Sequence, residues 1–379
     1  MRNLTLNDPT QMEILRHLAV TERMLATVAS KLSGVEQGSQ IWAMPDLGLP
    51  YNTVRIAGGF FTGALYSWQT SVPFVPVDAT VNSCGVAVFR LTSCIEDPRR
   101  FQEMIEQGRD RADREGVYQW NFGEGNHFVT YGVVSGSDIV PDGAYLVLHA
   151  SGRESKHQYH GLYPTESNWY AGDIHIELDT SGRYLRYICG STADRFFQEA
   201  RRLQVEGRNR LRYFADLIAG GNQIVEEVLN VMHYGMPTAS SVAIGCQWKS
   251  QPYLLLTAPQ QDLFFVKPRP ALDNHAVVGS KELVLSPHGL GVEVPSYLTL
   301  DQGPGSVSIN GHEYRVGDSL RNMPQLTVRG YGATRDILDG LLHAILERCP
   351  GEVIGRLQPV YSYDGLAPNV QTSGCTGRS

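Results

Sequence analysis

No apolar run in the 379-residue chain approaches the ~20 residues that a membrane-spanning helix needs. Cysteine is scarce: six are scattered along the sequence, and none forms a CxxC pair. That is not the density of a disulfide scaffold. The opening MRNLTLNDPTQMEILRHL lacks the basic-then-apolar pattern of a signal peptide. These absences lead to the expectation of a cytoplasmic protein with reduced cysteines and no membrane partner. Basic charge is also in deficit. Thirty-nine acidic residues against 32 basic ones leave a net charge of −7. Phosphate neutralisation supplies most nucleic-acid affinity, so a large nucleic-acid footprint is disfavoured. A local basic channel inside an acidic protein remains open. Internal repeats, low-complexity tracts and a clear linker are absent as well.

What is present points to an α+β fold. A helix is expected over 8–33, with Asp8 as cap, Pro9 in the first turn and Gly34 as stop. Asp97, Pro98 and Gly116 repeat that grammar. Further helices are expected over about 193–218, 225–232 and 334–348. Between them lie short runs rich in Val, Ile, Tyr and Phe, such as GVAVFRL (85–91), HFVTYGVV (127–134), AYLVLHA (144–150) and PYLLLTA (252–258). Gly, Pro, Asn or Asp bounds each run, so each reads as a strand. Strands outnumber helices and do not alternate strictly with them, which favours central β-sheets flanked by helices over a Rossmann arrangement. One domain is expected over 1–365, followed by a loose tail over 366–379.

Four segments carry candidate chemistry: Cys84 at the entry to a strand, Asn126 and His127 after a glycine-rich turn, His149 at a strand end with His157 beyond, and His233 at the end of the short 225–232 helix. A thiolate with imidazoles suits a divalent transition metal. Spacing alone leaves caps, core positions and surface groups equally open. Arg201, Arg202, Arg208, Arg210 and Arg212 on one helix line either a nucleotide channel or a solvated face.

Together these segments resemble the RtcB family of RNA ligases. IWAMPDLGLPYNTVRIAGG (41–59) is similar to its MPD segment, VNSCGV (81–86) to its D-x-x-C-G-V motif and QWNFGEGNHF (119–128) to its turn ending in GNHF. HASGRESKHQ (149–158), VMHYG (231–235), LSPHGLGVEVPSY (285–297) and GRLQPVYSYDG (355–365) follow in the family's order. The resemblance implies an RtcB-like fold and a ligase that joins RNA 3′-phosphate or 2′,3′-cyclic phosphate ends to 5′-hydroxyl ends. It implies GTP, Mn²⁺ or another divalent transition metal, and a histidine–GMP intermediate. On this reading Cys84, His149 and His233 hold one metal, His127 serves a second with Cys84 as bridge, and Asn126 contacts the nucleotide.

The chain departs from the family at several points. Val81 stands where the family has a metal-binding Asp, with Asp78 nearby. Asp364 replaces a lysine. Lys267 and Arg269 in VKPRPA are the phosphate contacts left in their region. The family's H-G-A-G-R nucleophile segment finds no clear counterpart. His312 is one candidate nucleophile, although it also reads as an ordinary residue after an Asn310-Gly311 type I′ hairpin turn. His288 is the other, as nucleophile, ligand or proton-transfer group. Two enzymatic readings follow: a working RNA ligase, or a metalloenzyme that no longer guanylylates itself and acts on a small phosphorylated or nucleotide-like substrate. A non-catalytic metal-binding protein is the third.

Overall fold

The computed structural model describes residues 1–152, 168–220, 223–258, 260–303 and 305–364, together with the backbone of 369–370. Local sequence signals set the long helices. In Pro9–Ser33, Asp8 accepts the Gln11 amide at 2.9 Å, and Gly34 closes the helix at φ 72°. Pro98–Glu115 begins on Asp97 and ends on Gly116 in the same manner. Gly190–Ala219 and Arg335–Arg348 agree with the expected third and last helices.

The 225–232 segment is a correction. Ile224–Met232 is a strand, paired antiparallel with Gly85–Leu91. Its β-branched residues favour the pleat. Register shifts between Ile224 and Glu226 and between Glu227 and Leu229 break the two-residue alternation by which a strand is read. Within the expected tail, Asn369–Val370 pairs with Tyr361 and Ser362. The remaining residues of 366–379 lie outside the described residues, as does His157.

The larger sheet runs in the order Ile224–Met232, Gly85–Leu91, Gly143–Ala150, Phe128–Val134, Gly351–Tyr363, Leu263–Pro268, Tyr253–Leu255. Each of these pairings is antiparallel, in keeping with an α+β architecture. Alternation sorts its two faces. Ala87 and Phe89 pack with Leu211 and Phe214 of the long helix, whereas Val86 and Val88 join Leu254, Phe265 and Leu342. A second sheet holds Arg2–Asn3, Ser39–Gly48, Thr62–Trp68, Ser241–Ile244 and Tyr234–Thr238. The sheets are continuous in chain at His233, between Ile224–Met232 and Tyr234–Thr238. Among the described residues no helix is long and apolar enough to cross a membrane.

Candidate metal centre

Antiparallel register brings four strand ends together. Gly85 faces both Met232 and Ala150, and His149 faces both Val86 and Phe128. Cys84, His127, His149 and His233 therefore meet at one end of the large sheet. The amides of His233 and Tyr234 donate to the Cys84 carbonyl at 3.0 and 3.2 Å, which locks two of these ends to each other. The loop into Cys84 is strained, with Thr80 at φ 46° and Ser83 at φ 52°. Such conformations persist where the surroundings over-determine them and cluster at functional sites.

The ligand atoms of Cys84, His149 and His233 all lie within 4.8 Å of one another, and all three residues are buried. Cys84 Sγ is 3.2 Å from His149 Nε2, which is 3.3 Å from His233 Nε2. Tetrahedral ligation with the usual bond lengths puts nitrogens about 3.3 Å apart and sulfur and nitrogen about 3.6 Å apart. The donor set therefore fits a transition metal in type and spacing. His127 Nε2 stands 3.6 Å from Cys84 Sγ and falls outside the three-residue group.

The surroundings tune these donors. His149 Nδ1 donates to the Asn126 carbonyl at 2.9 Å, so its Nε2 presents a lone pair to the cluster. Asn126 thus acts through its backbone. Burial holds the His149 and His233 pKa values well below the ordinary range, and neighbouring imidazoles add to this. Both rings are neutral, as ligation requires. Burial pushes the Cys84 thiol up to about 12, against the pull of nearby Arg55. A bound cation reverses that logic and keeps the sulfur as a thiolate.

The cluster opens on a cavity of about 480 Å³, lined in part by Arg55, Asn126, His127, Tyr234, His288 and Asp364. His288 is anchored from beneath. Asp46, fully buried in the strand Ser39–Gly48, accepts its Nδ1–H at 2.6 Å, its amide at 3.0 Å and the Gly289 amide at 3.2 Å. The imidazole lies 4.9 Å, centroid to centroid, from His233. Asp46 was not singled out from the sequence, and an acid inside the apolar run IWAMPDL is the signal that marks it.

Three expected site residues stand elsewhere. His312 is exposed in the hairpin strand His312–Arg315, just past Asn310 and Gly311, whose positive φ values make the type I′ turn. It does not line the cavity. Lys267 and Arg269 are exposed, and Arg269 pairs with Glu352 at 2.9 Å. Leu263 at the start of their strand reaches the cavity, but at ~3.3 Å per residue Lys267 stands about 13 Å further along.

The departures from the family pattern also have places. Val81 is buried and apolar. Asp78 is engaged in a buried ion pair with Arg186. Arg321, unmarked in the sequence, donates to the Gly123 carbonyl at 2.7 Å and the Asp364 carbonyl at 3.2 Å. It brings a cation to the rim of the cavity beside Asp364. On the long helix, Arg202 and Arg212 make surface ion pairs, while Arg210 is buried and donates to the Ser151 carbonyl at 2.9 Å. The basic run is thus a solvated face with one internal brace. Comparison with family models and with curated proteins finds no match.

Proposed function

We propose that this chain is a metal-dependent nucleotidyl-transfer enzyme of the RtcB type, joining RNA 3′-phosphate or 2′,3′-cyclic phosphate ends to 5′-hydroxyl ends, with His288 as nucleophile. The observation that carries the reading is the buried Asp46–His288 pair beside the Cys84–His149–His233 cluster. With Nδ1–H given to Asp46, Nε2 is the ring nitrogen left to attack. The carboxylate fixes that tautomer and stabilises the positive ring that forms as Nε2 attacks, the logic of an activated nucleophile. Attack on the α-phosphorus of GTP forms an N–P bond and breaks the bond to pyrophosphate. A 2′,3′-cyclic end is first opened by water to the 3′-phosphate; the GMP group then passes to that phosphate, and the 5′-hydroxyl attacks its phosphorus and releases GMP. A metal held by Cys84, His149 and His233 would supply Lewis-acid polarisation of phosphoryl oxygens.

Buried Val81 at the position of the family's second-metal Asp favours a second reading: a metalloenzyme without self-guanylylation, acting on a small phosphorylated or nucleotide-like substrate. Intact mass after incubation with GTP and Mn²⁺, before and after acid treatment, separates the two. An acid-labile GMP adduct is expected in the wild type and in His312→Ala, and none in His288→Ala. A wild type that binds metal and forms no adduct leaves the second reading standing.

A further inference from the structure

Arg55 is buried, 6% exposed, and lines the cavity. Its Nε and Nη2 donate to the hydroxyl and carbonyl of Thr80. Its guanidinium lies 4.6 Å above the Tyr234 ring. Thr80 opens the strained loop that leads into Cys84, and Tyr234 directly follows His233. The two contacts wedge the cation between the segments that deliver two metal ligands. Among the other buried guanidiniums, Arg186 pairs with Asp78 and Arg329 with Asp8 and Glu293, while Arg210 donates to the Ser151 carbonyl. Arg55 makes no carboxylate ion pair among the described residues.

An isolated buried charge is costly unless something compensates it. Arg55 lines the same cavity as Cys84 and His149, whose other charged lining groups are Glu124, Asp318, Arg321 and Asp364. From its placement, buried, held by Thr80 and Tyr234 and beside the proposed metal, we infer that Arg55 is an oxyanion-binding residue that takes a terminal phosphate of the substrate. A planar guanidinium suits that ligand because its parallel N–H groups match phosphate oxygens. Thr80 and Tyr234 hold it in place beforehand, so little side-chain freedom is lost on binding. The inference rests on the metal reading of the cluster and names the substrate group that the proposed enzyme reads through Arg55.

The test uses Arg55→Gln and Arg55→Lys in the full chain. Metal content is measured by mass spectrometry, and binding of adenosine 3′-monophosphate and of adenosine by calorimetry, with metal-loaded and metal-stripped protein. Arg55→Gln is expected to keep its metal and lose tenfold or more in 3′-monophosphate affinity. Arg55→Lys, which retains the charge without the fork, should fall between it and the wild type. Adenosine binding should be the same in all three. Stripped wild type should keep residual 3′-monophosphate affinity that Arg55→Gln lacks. The inference is overturned if wild type shows no preference for the phosphorylated nucleoside, or if Arg55→Gln binds it as wild type does. It is equally overturned if both variants lose metal in step with the phosphate, since Arg55 would then serve the thiolate. A chain that forms no GMP adduct yet binds the 3′-monophosphate through Arg55 removes the ligase reading and leaves this inference in place. Adduct formation without that binding does the reverse.

Discussion

At the scale of single residues, the centre depends on side chains whose protonation is decided before a metal arrives. His149 is neutral because it is buried, and its Nε2 lone pair is aimed by the bond from Nδ1 to Asn126. Cys84 is harder to ionise when buried, so a cation that holds its thiolate gains affinity as pH rises. Each ligand leaves two others behind when removed, too few for a tight transition-metal site. Cys84→Ala and His149→Ala are therefore each expected to fall from about one metal per chain to near zero after dialysis, as read by elemental mass spectrometry. Full occupancy in either variant would refute the assignment. Arg55 and Asp46 belong to the same layer of causes, since each meets the cluster through neighbours that the sequence keeps far away.

At the scale of elements, the contact between Gly85–Leu91 and Ile224–Met232 governs how Cys84 sits relative to His233. A Cβ on Gly85 would lie 2.6 Å from the Val231 carbonyl and would collide with the Met232 side chain. Gly85→Ala is thus expected to cost about 1–3 kcal/mol, measured by urea denaturation, and to lower metal occupancy. An unchanged midpoint and full occupancy would show that the strands yield freely. This pair of strands also marks where the sequence was legible and where it was not. Asp8, Gly34, Asp97 and Gly116 act within a turn of their own residue, so both helices could be read directly. Ile224–Met232 could not, because its bulges depend on the partner strand. The ligands Cys84, His149 and His233 were visible through motif order. Asp46 in the strand Ser39–Gly48 meets His288, and Arg55 in the short helix Thr53–Ala57 meets Tyr234, each across a long sequence separation, so neither pairing can be read from a local pattern. Lys267 and Arg269 erred in the opposite sense: the chemistry was suitable, but strand direction carries them away from the cavity.

At the scale of the whole molecule, buried imidazoles make the metal-free fold sensitive to acid. His17, His149 and His233 all have pKa values held below the ordinary 6.5 by burial. Between those depressed values and 6.5 the unfolded chain takes up protons that the folded chain refuses. Stability is fully present above about pH 6.5 and declines as pH falls through that window, by up to about 1.4 kcal/mol per unit for each group. The urea midpoint of metal-free protein should accordingly drop between about pH 7.5 and about pH 5.5, and His17→Gln should soften the decline. A midpoint that holds or rises on acidification would contradict neutral burial.

The three donors come from segments far apart in sequence: 65 residues separate Cys84 from His149, and 84 separate His149 from His233. Loops of that length make early encounter of the ligands entropically unfavourable. They meet only once the large sheet has its register, and the finished sheet leaves them at the wall of an open cavity. A metal taken by this centre would therefore enter after folding, through the cavity. A mixed sulfur and nitrogen set discriminates weakly among first-row ions, so the pool that the finished protein meets would decide which metal such a centre takes.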